Sequence, residues 1–177
     1  MSAVTKPSVL ILMGVSGAGK STTGALLSER LGWPFRDADS FHPPANIDKM
    51  SRGVPLDDED RWPWLSAIAA WIDERLRCGE AGIVSCSALK RSYRRILLEG
   101  REHRVRLVFL AGEKRLLAAR MAARLDHFMP PELLDSQFAT LEEPSPEERP
   151  LIVPVSQSPE EVAEFIRSRL GLHRVEG

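Results

Sequence analysis

A glycine-rich stretch near the start of the chain carries the residues best suited to chemistry. Gly14, Gly17, Gly19, Lys20 and Ser21 fit the pattern Gly-x-x-x-x-Gly-Lys-Ser. Glycines let the backbone curl so that its N–H groups point inward and form a nest for an anion. The lysine can reach the outer phosphates of a nucleotide, and the serine hydroxyl can bind Mg²⁺. The stretch therefore predicts a phosphate-binding loop for a nucleoside triphosphate.

The neighbouring residues predict the strand and helix that such a loop needs. The apolar run 9–13 indicates a buried parallel strand, and a helix follows through Leu31, with Gly32 as its C-cap. Because strand, loop and helix come in the required order, a chance glycine-rich turn is the less favoured interpretation. We expect the nucleotide to contact Gly14, Val15, Ser16, Gly17, Ala18, Gly19, Lys20, Ser21 and Thr22.

Two aspartates follow the next predicted strand, 33–35. Parallel sheets bind ligands at the carboxyl ends of their strands, where Asp37 and Asp39 lie. On an extended chain their side chains point the same way, although a solvated turn is the alternative. The later strand 82–87 ends in serine, where many phosphate-loop enzymes place a metal-binding aspartate. We therefore expect Ser21 and Asp37 to hold Mg²⁺.

Basic residues gather in two stretches beyond the acidic pair. The segment 41–63 combines prolines with mixed charges, and a loop this long in a compact domain is usually functional. A helix predicted over 88–99 begins with basic residues, against the sign that a helix N-terminus favours. Solvated surface residues are the alternative in both stretches. Together they predict a pocket for a hydroxylated or anionic substrate, lined by His42, Lys49, Arg52, Arg61, Lys90 and Arg91.

A helix, a break and a second helix form the next pattern. The first helix, 114–125, places Arg120 and Arg124 on one face, and the residues 127–131 interrupt it. A lid over about 120–140 that closes on phosphates fits this pattern, and a surface hairpin with solvated arginines is the alternative. A strand over 151–155 and a helix capped by Ser158 complete the chain.

Composition limits the class of protein. The chain has 177 residues, a formal net charge of -1 and two cysteines, which favours one domain in a reducing compartment. The near-zero charge gives no general attraction to nucleic acid or to membranes. No run has the character of a signal peptide or a transmembrane helix. We expect a soluble, cytoplasmic protein that binds neither nucleic acid nor membrane.

With these residues assembled, the chain resembles the gluconokinases, a branch of the small shikimate-kinase-like phosphate-loop kinases. The resemblance covers nearly all of 8–172 and rests on five motifs, of which the last four are not general to phosphate-loop kinases. The motifs lie at 14–22, 37–50, 53–65, 86–94 and 127–138. One departure is Arg95, where the family pattern suggests an acidic residue.

The resemblance implies a single α/β domain over 1–177 with the three-layer P-loop NTPase fold, a mainly parallel central sheet and a helical lid. It implies ATP- and Mg²⁺-dependent phosphorylation of D-gluconate on its 6-hydroxyl, with a substrate-binding segment over about 39–65, and a homodimer. Two alternatives are a kinase for another small polyhydroxy acid and a nucleotide-binding regulatory switch.

The mechanism expected from these residues assigns three of them to catalysis. Lys20 holds the outer phosphates, Asp39 accepts the proton of the hydroxyl, and Arg124 stabilises the transferring phosphoryl group. Arg120 also contacts the nucleotide when the lid closes. The sequence alone leaves open whether Asp37 or Asp39 is the base, and we assign that role to Asp39.

Overall fold

The computed structural model describes residues 6–123 and 131–174. A parallel sheet of five strands forms the centre, with the spatial order β2-β3-β1-β4-β5. This confirms the predicted α/β class with a parallel sheet. The strands are β1 (Val9–Met13), β2 (Phe35–Asp37), β3 (Gly82–Ser85), β4 (Val105–Ala111) and β5 (Leu151–Pro154).

Seven helices accompany these strands in the described part of the chain. They are α1 (Lys20–Leu31), α2 (Pro44–Ser51), α3 (Asp58–Arg77), α4 (Arg91–Leu98), α5 (Lys114–Ala123), α6 (Pro131–Thr140) and α7 (Pro159–Leu170). Short 3₁₀ turns occupy Ala38–Phe41 and Pro146–Glu148. Among the described residues, no helix is long and apolar enough to cross a membrane.

The central strand β1 shows why the sheet lies at the core. All five of its residues are buried, and their side chains alternate between two apolar clusters. Leu10 and Leu12 face the cluster that includes α1 and α7, whereas Ile11 faces the one that includes α3 and α4. Helices cover both faces of β1, so its continuous apolar run is what a buried parallel strand requires.

Strand β2 begins two residues later than the sequence predicts. Pro34 has no N–H and joins the sheet only through its carbonyl, which accepts a hydrogen bond from Ile83 N at 2.8 Å. The strand covers Phe35–Asp37, so Asp39 lies in the 3₁₀ turn that follows the strand. The expectation that both aspartates share one extended segment is wrong.

Helices α3 and α4 also begin at other residues than predicted. The acidic run that the sequence assigns to a loop starts α3, because Asp57 and Asp60 form a capping box that satisfies backbone N–H groups. The helix predicted from residue 88 starts at Arg91. Ala88 has a left-handed φ of 46°, and its carbonyl accepts a hydrogen bond from Arg94, so this backbone leaves the helical path.

Helix α1, which carries the phosphate loop, packs very closely on β2. A Cβ atom added at Gly24 would lie 2.4 Å from Cε2 of Phe35. Real Cβ atoms do not approach a ring carbon this closely, so any side chain at this position would force the Phe35 ring or α1 itself to move.

We therefore predict that Gly24→Ala destabilises the protein, despite the helix propensity that alanine adds. Overpacking costs about 1–3 kcal/mol, against a propensity gain of up to about 1 kcal/mol. Urea unfolding of Gly24→Ala, Phe35→Leu and the double variant measures the free energy of unfolding of each. We expect the double variant to recover part of the stability that Gly24→Ala loses, and strictly additive effects would contradict the predicted contact.

Candidate active site

The phosphate loop joins β1 to α1 at the carboxyl edge of the sheet. Gly17 and Gly19 have φ angles of 83° and 88°, in the left-handed region that favours glycine. At Gly17 an added Cβ would also lie 3.0 Å from Cγ of Met121, on α5. Both glycines are therefore required by the path of the loop, as the sequence predicts.

Lys20 folds back over the loop that precedes it. Its Nζ donates hydrogen bonds to Gly14 O at 2.8 Å and to Val15 O at 3.1 Å. Burial lowers the pKa of Lys20, and the nearby charges of Asp37 and Asp39 partly oppose that change. The ammonium group thus lies in the loop, close to both acidic residues.

Asp37 connects the phosphate loop to the acidic segment. Its Oδ2 accepts a hydrogen bond from Ser21 Oγ at 2.8 Å, and its Oδ1 accepts one from Asp39 N at 2.9 Å. Mg²⁺ is usually held by one or two protein oxygens together with phosphates and water, so this hydroxyl–carboxylate pair fits it. Among the described residues, no three His, Cys, Asp or Glu side chains group around a metal site.

The Asp39 carboxylate is open to solvent, with 87% of its side chain exposed. Partial desolvation raises the pKa of Asp39, and the neighbouring Asp37 charge raises it further. His42 and Lys20 oppose this effect. A carboxylate that is exposed at the site and is more basic than usual suits proton transfer.

His42 lies behind Asp39 and is held by its neighbours. Its ring stacks on Trp64, with centroids 4.4 Å apart, and Asn46 Nδ2 lies 3.2 Å from Nδ1. The amide donates to Nδ1, so the neutral ring carries its proton on Nε2, which lies 4.0 Å from Asp39 Oδ1. Burial lowers the pKa of His42, which favours this neutral form.

A cluster around Asp58 brings together two of the predicted cations. Asp58 Oδ1 accepts a hydrogen bond from Tyr93 Oη at 2.6 Å and lies 3.3 Å from Lys90 Nζ and 3.9 Å from Arg61 Nη1. The hydrogen bond from Tyr93, followed by the interaction with Lys90, lowers the pKa of Asp58. Sequence reasoning gave neither Asp58 nor Tyr93 a role, although both lie inside recognised motifs.

The other predicted cations form separate ion pairs. Lys49 Nζ lies 2.8 Å from Asp60 Oδ2, at the start of α3. Arg52 pairs with Asp48 and Arg91 pairs with Glu147, both at the exposed surface and both at 2.8 Å. These contacts do not join Arg52 or Arg91 to the Asp58 cluster, and their role in substrate binding stays a prediction.

A cavity of about 280 Å³ separates the phosphate loop from the segment after β5. The loop residues 17–19 line one side, and 155–159 line the other. Arg120 also lines this cavity, and its Nη2 donates to Gln157 O at 3.4 Å. The second predicted arginine, Arg124, lies outside the described residues. The cavity borders the phosphate loop.

Comparison with known proteins identifies the family. The family model described as shikimate kinase matches residues 16–169. The gluconokinase of Gluconobacter oxydans is 45% identical over 90% of this chain and 89% of its own. A solved gluconokinase from Sinorhizobium meliloti is 48% identical, with a TM-score of 0.82 over 94% of this chain and 93% of its own.

An unliganded sugar kinase from a Janibacter species is similar to the same extent. It shares 43% identity and a TM-score of 0.83, over 94% of this chain and 95% of its own. Sequence and fold therefore agree over nearly the whole length of each protein. The chain belongs to the gluconokinases, within the shikimate-kinase-like family of P-loop kinases.

Proposed function

We propose that this protein transfers the γ-phosphoryl group of ATP to the 6-hydroxyl of D-gluconate, giving 6-phospho-D-gluconate and ADP. One observation carries the proposal. The phosphate loop and an exposed carboxylate of raised pKa, Asp39, meet through Asp37 in a chain 45% identical to a gluconokinase. A nucleotide switch would need no such acceptor site.

In the proposed reaction the loop amides other than Ser16 N, which donates to a side chain of α6, bind the phosphates of ATP, and adenosine occupies the cavity beside 155–159. Lys20 exchanges its two carbonyl contacts for the β- and γ-phosphates. Arg120 lies beside this cavity and contacts the nucleotide, and Arg124 acts with it when the first part of the predicted lid over about 120–140 closes. The end of α6 from Leu134 onwards stays packed on the core. Ser21 and Asp37 would hold Mg²⁺, which would neutralise charge on the phosphates when bound.

The acceptor lies between Asp39 and the Asp58 cluster. The 6-hydroxyl donates a hydrogen bond to Asp39, its oxygen bonds to the γ-phosphorus, and the bond to the bridging oxygen of ADP breaks. The hydroxyl proton passes to Asp39 late in transfer. Lys90 and Arg61 attract the carboxylate of the sugar acid. The Nε2–H of His42 faces Asp39, and direct contact of His42 with the acceptor stays a prediction.

The proposed acceptor segment covers about 39–65, in which Lys49 holds the start of α3 through Asp60. Arg52 and Arg91 are paired with Asp48 and Glu147 at the surface, and their contact with the acceptor stays a prediction. The homodimer and the domain limits, 1–177 with one lid, stay predictions from the resemblance. The cytoplasmic location stays a prediction from the composition of the chain.

We predict that ATP and Mg²⁺ support ADP release with D-gluconate but not with shikimate or without an acceptor. A coupled ADP-release assay over a panel of sugar acids measures this, and carbon–phosphorus coupling in the product locates the phosphate on C6. Turnover with a different acid alone would contradict the substrate. ADP release that ignores every acceptor would favour the nucleotide switch.

We also predict that Asp37→Asn lowers the pKa of Asp39. The aspartate charge is one cause of the raised pKa, so its removal shifts the pKa of Asp39 towards the ordinary value for an aspartate. Asparagine keeps an oxygen that can accept from Asp39 N. Carbon-13 NMR titration of the Asp39 carboxyl group measures the shift, and an unchanged or higher pKa would contradict it.

A further inference from the structure

The proposed mechanism does not use the contact between α6 and the phosphate loop. Gln137 makes two hydrogen bonds to one residue of that loop: Ser16 N donates to its Oε1 at 2.6 Å, and its Nε2 donates to Ser16 Oγ at 2.8 Å. Ser16 lies 121 residues away in the chain. A carboxamide that satisfies both the amide and the hydroxyl of Ser16 fixes the orientation of this residue.

The end of α6 that carries Gln137 is anchored in the core. Leu134, one turn earlier, is 2% exposed, and Phe138 and Leu141 pack against the cluster that includes α1 and α7. The backbone at Gln137 is therefore fixed by packing. Gln137 holds Ser16 against the body of the domain.

The residues that follow α6 also hold the loop that leads to α4. Glu142 N donates to Leu89 O at 2.8 Å, and Arg91 N donates to Glu142 Oε1 at 2.9 Å. The second bond satisfies a backbone N–H at the start of α4. Lys90, which the proposed function assigns to the acceptor, lies between the two anchored residues.

We propose that Gln137 is a positioning residue that sets the distance between the phosphate donor and the acceptor. Gln137 fixes the phosphate loop at one end of the segment 137–142. At the other end, Glu142 fixes the loop that leads to α4, by its bonds to Leu89 and Arg91. This inference rests on the proposed phosphoryl transfer. Reaction rates depend steeply on the alignment of the reacting atoms, because a misplacement of 1 Å can cost about 100-fold.

We expect Gln137→Leu, which keeps most of the volume but removes both hydrogen bonds, to lower kcat roughly 10- to 100-fold. Because ATP and the acceptor should still bind to the variant, the KM for each should stay within about threefold of the wild-type value. Gln137→Asn, whose shorter amide does not reach Ser16, should behave in the same way. Ser136→Ala, at an exposed neighbouring position on α6, is the matched control and should keep the wild-type rate.

The far end of the segment gives a second test. Glu142→Gln keeps an oxygen that accepts from Arg91 N, so we expect it to retain kcat. Glu142→Ala loses that oxygen and should lower kcat with little change in the KM for ATP. Thermal unfolding of each variant shows whether the fold is intact, and Gln137→Asn serves as the test if Gln137→Leu prevents folding.

All rates are measured with the acceptor that the wild-type protein phosphorylates fastest. A wild type that prefers another acid would overturn the proposed substrate alone. The positioning role is overturned if folded Gln137→Leu and Gln137→Asn keep kcat within twofold of the wild type. It is also overturned if they raise KM for ATP at unchanged kcat, since Gln137 would then only support nucleotide binding.

Discussion

The hydrogen bonds at Asp37 join the two halves of the site. One oxygen of this carboxylate binds the first turn of α1, through Ser21, and the other binds the backbone of Asp39. The sheet makes this possible, because β3 lies between β1 and β2 and pairs in register with both. The phosphate loop and the acidic segment therefore emerge at the same edge, one strand apart. A shift of β2 would separate the donor from the proposed base.

The proposed acceptor cations are held in place by carboxylates from one helix turn. Asp58 and Asp60 lie at the start of α3, where negative charge is favoured by the helix dipole, and they bind Lys90 and Lys49. An anionic acceptor must therefore compete with Asp58 for Lys90, or share it. Such pairing fixes the lysines before substrate binds and reduces the cost of ordering them.

Local signals predicted those parts of the fold that depend on neighbouring residues. The glycine pattern gave the phosphate loop, and Ser158 accepts from Glu161 N at the start of α7 as its spacing predicts. Some local signals are ambiguous. Asp57 and Asp60 have the spacing of a helix cap, but the prolines and mixed charges around them favour a loop, and the structure shows the cap.

The remaining features depend on contacts between distant residues. Buried Arg94 binds both Glu148, 54 residues away, and the carbonyl of Ala88, and these contacts displace the start of α4. The bond between Ser16 and Gln137 likewise depends on how α6 packs against the sheet. No periodicity or motif encodes such a pairing, so the sequence of one protein could suggest neither.

The variant Asp39→Asn separates a base at Asp39 from an organising role at Asp37. Asparagine fills the same space but cannot accept the proton. We predict that kcat falls roughly 100- to 10,000-fold while ATP binding, followed by calorimetry, stays near the wild-type value. An Asp39→Asn protein that keeps kcat within threefold of the wild type would show that Asp39 is not the base.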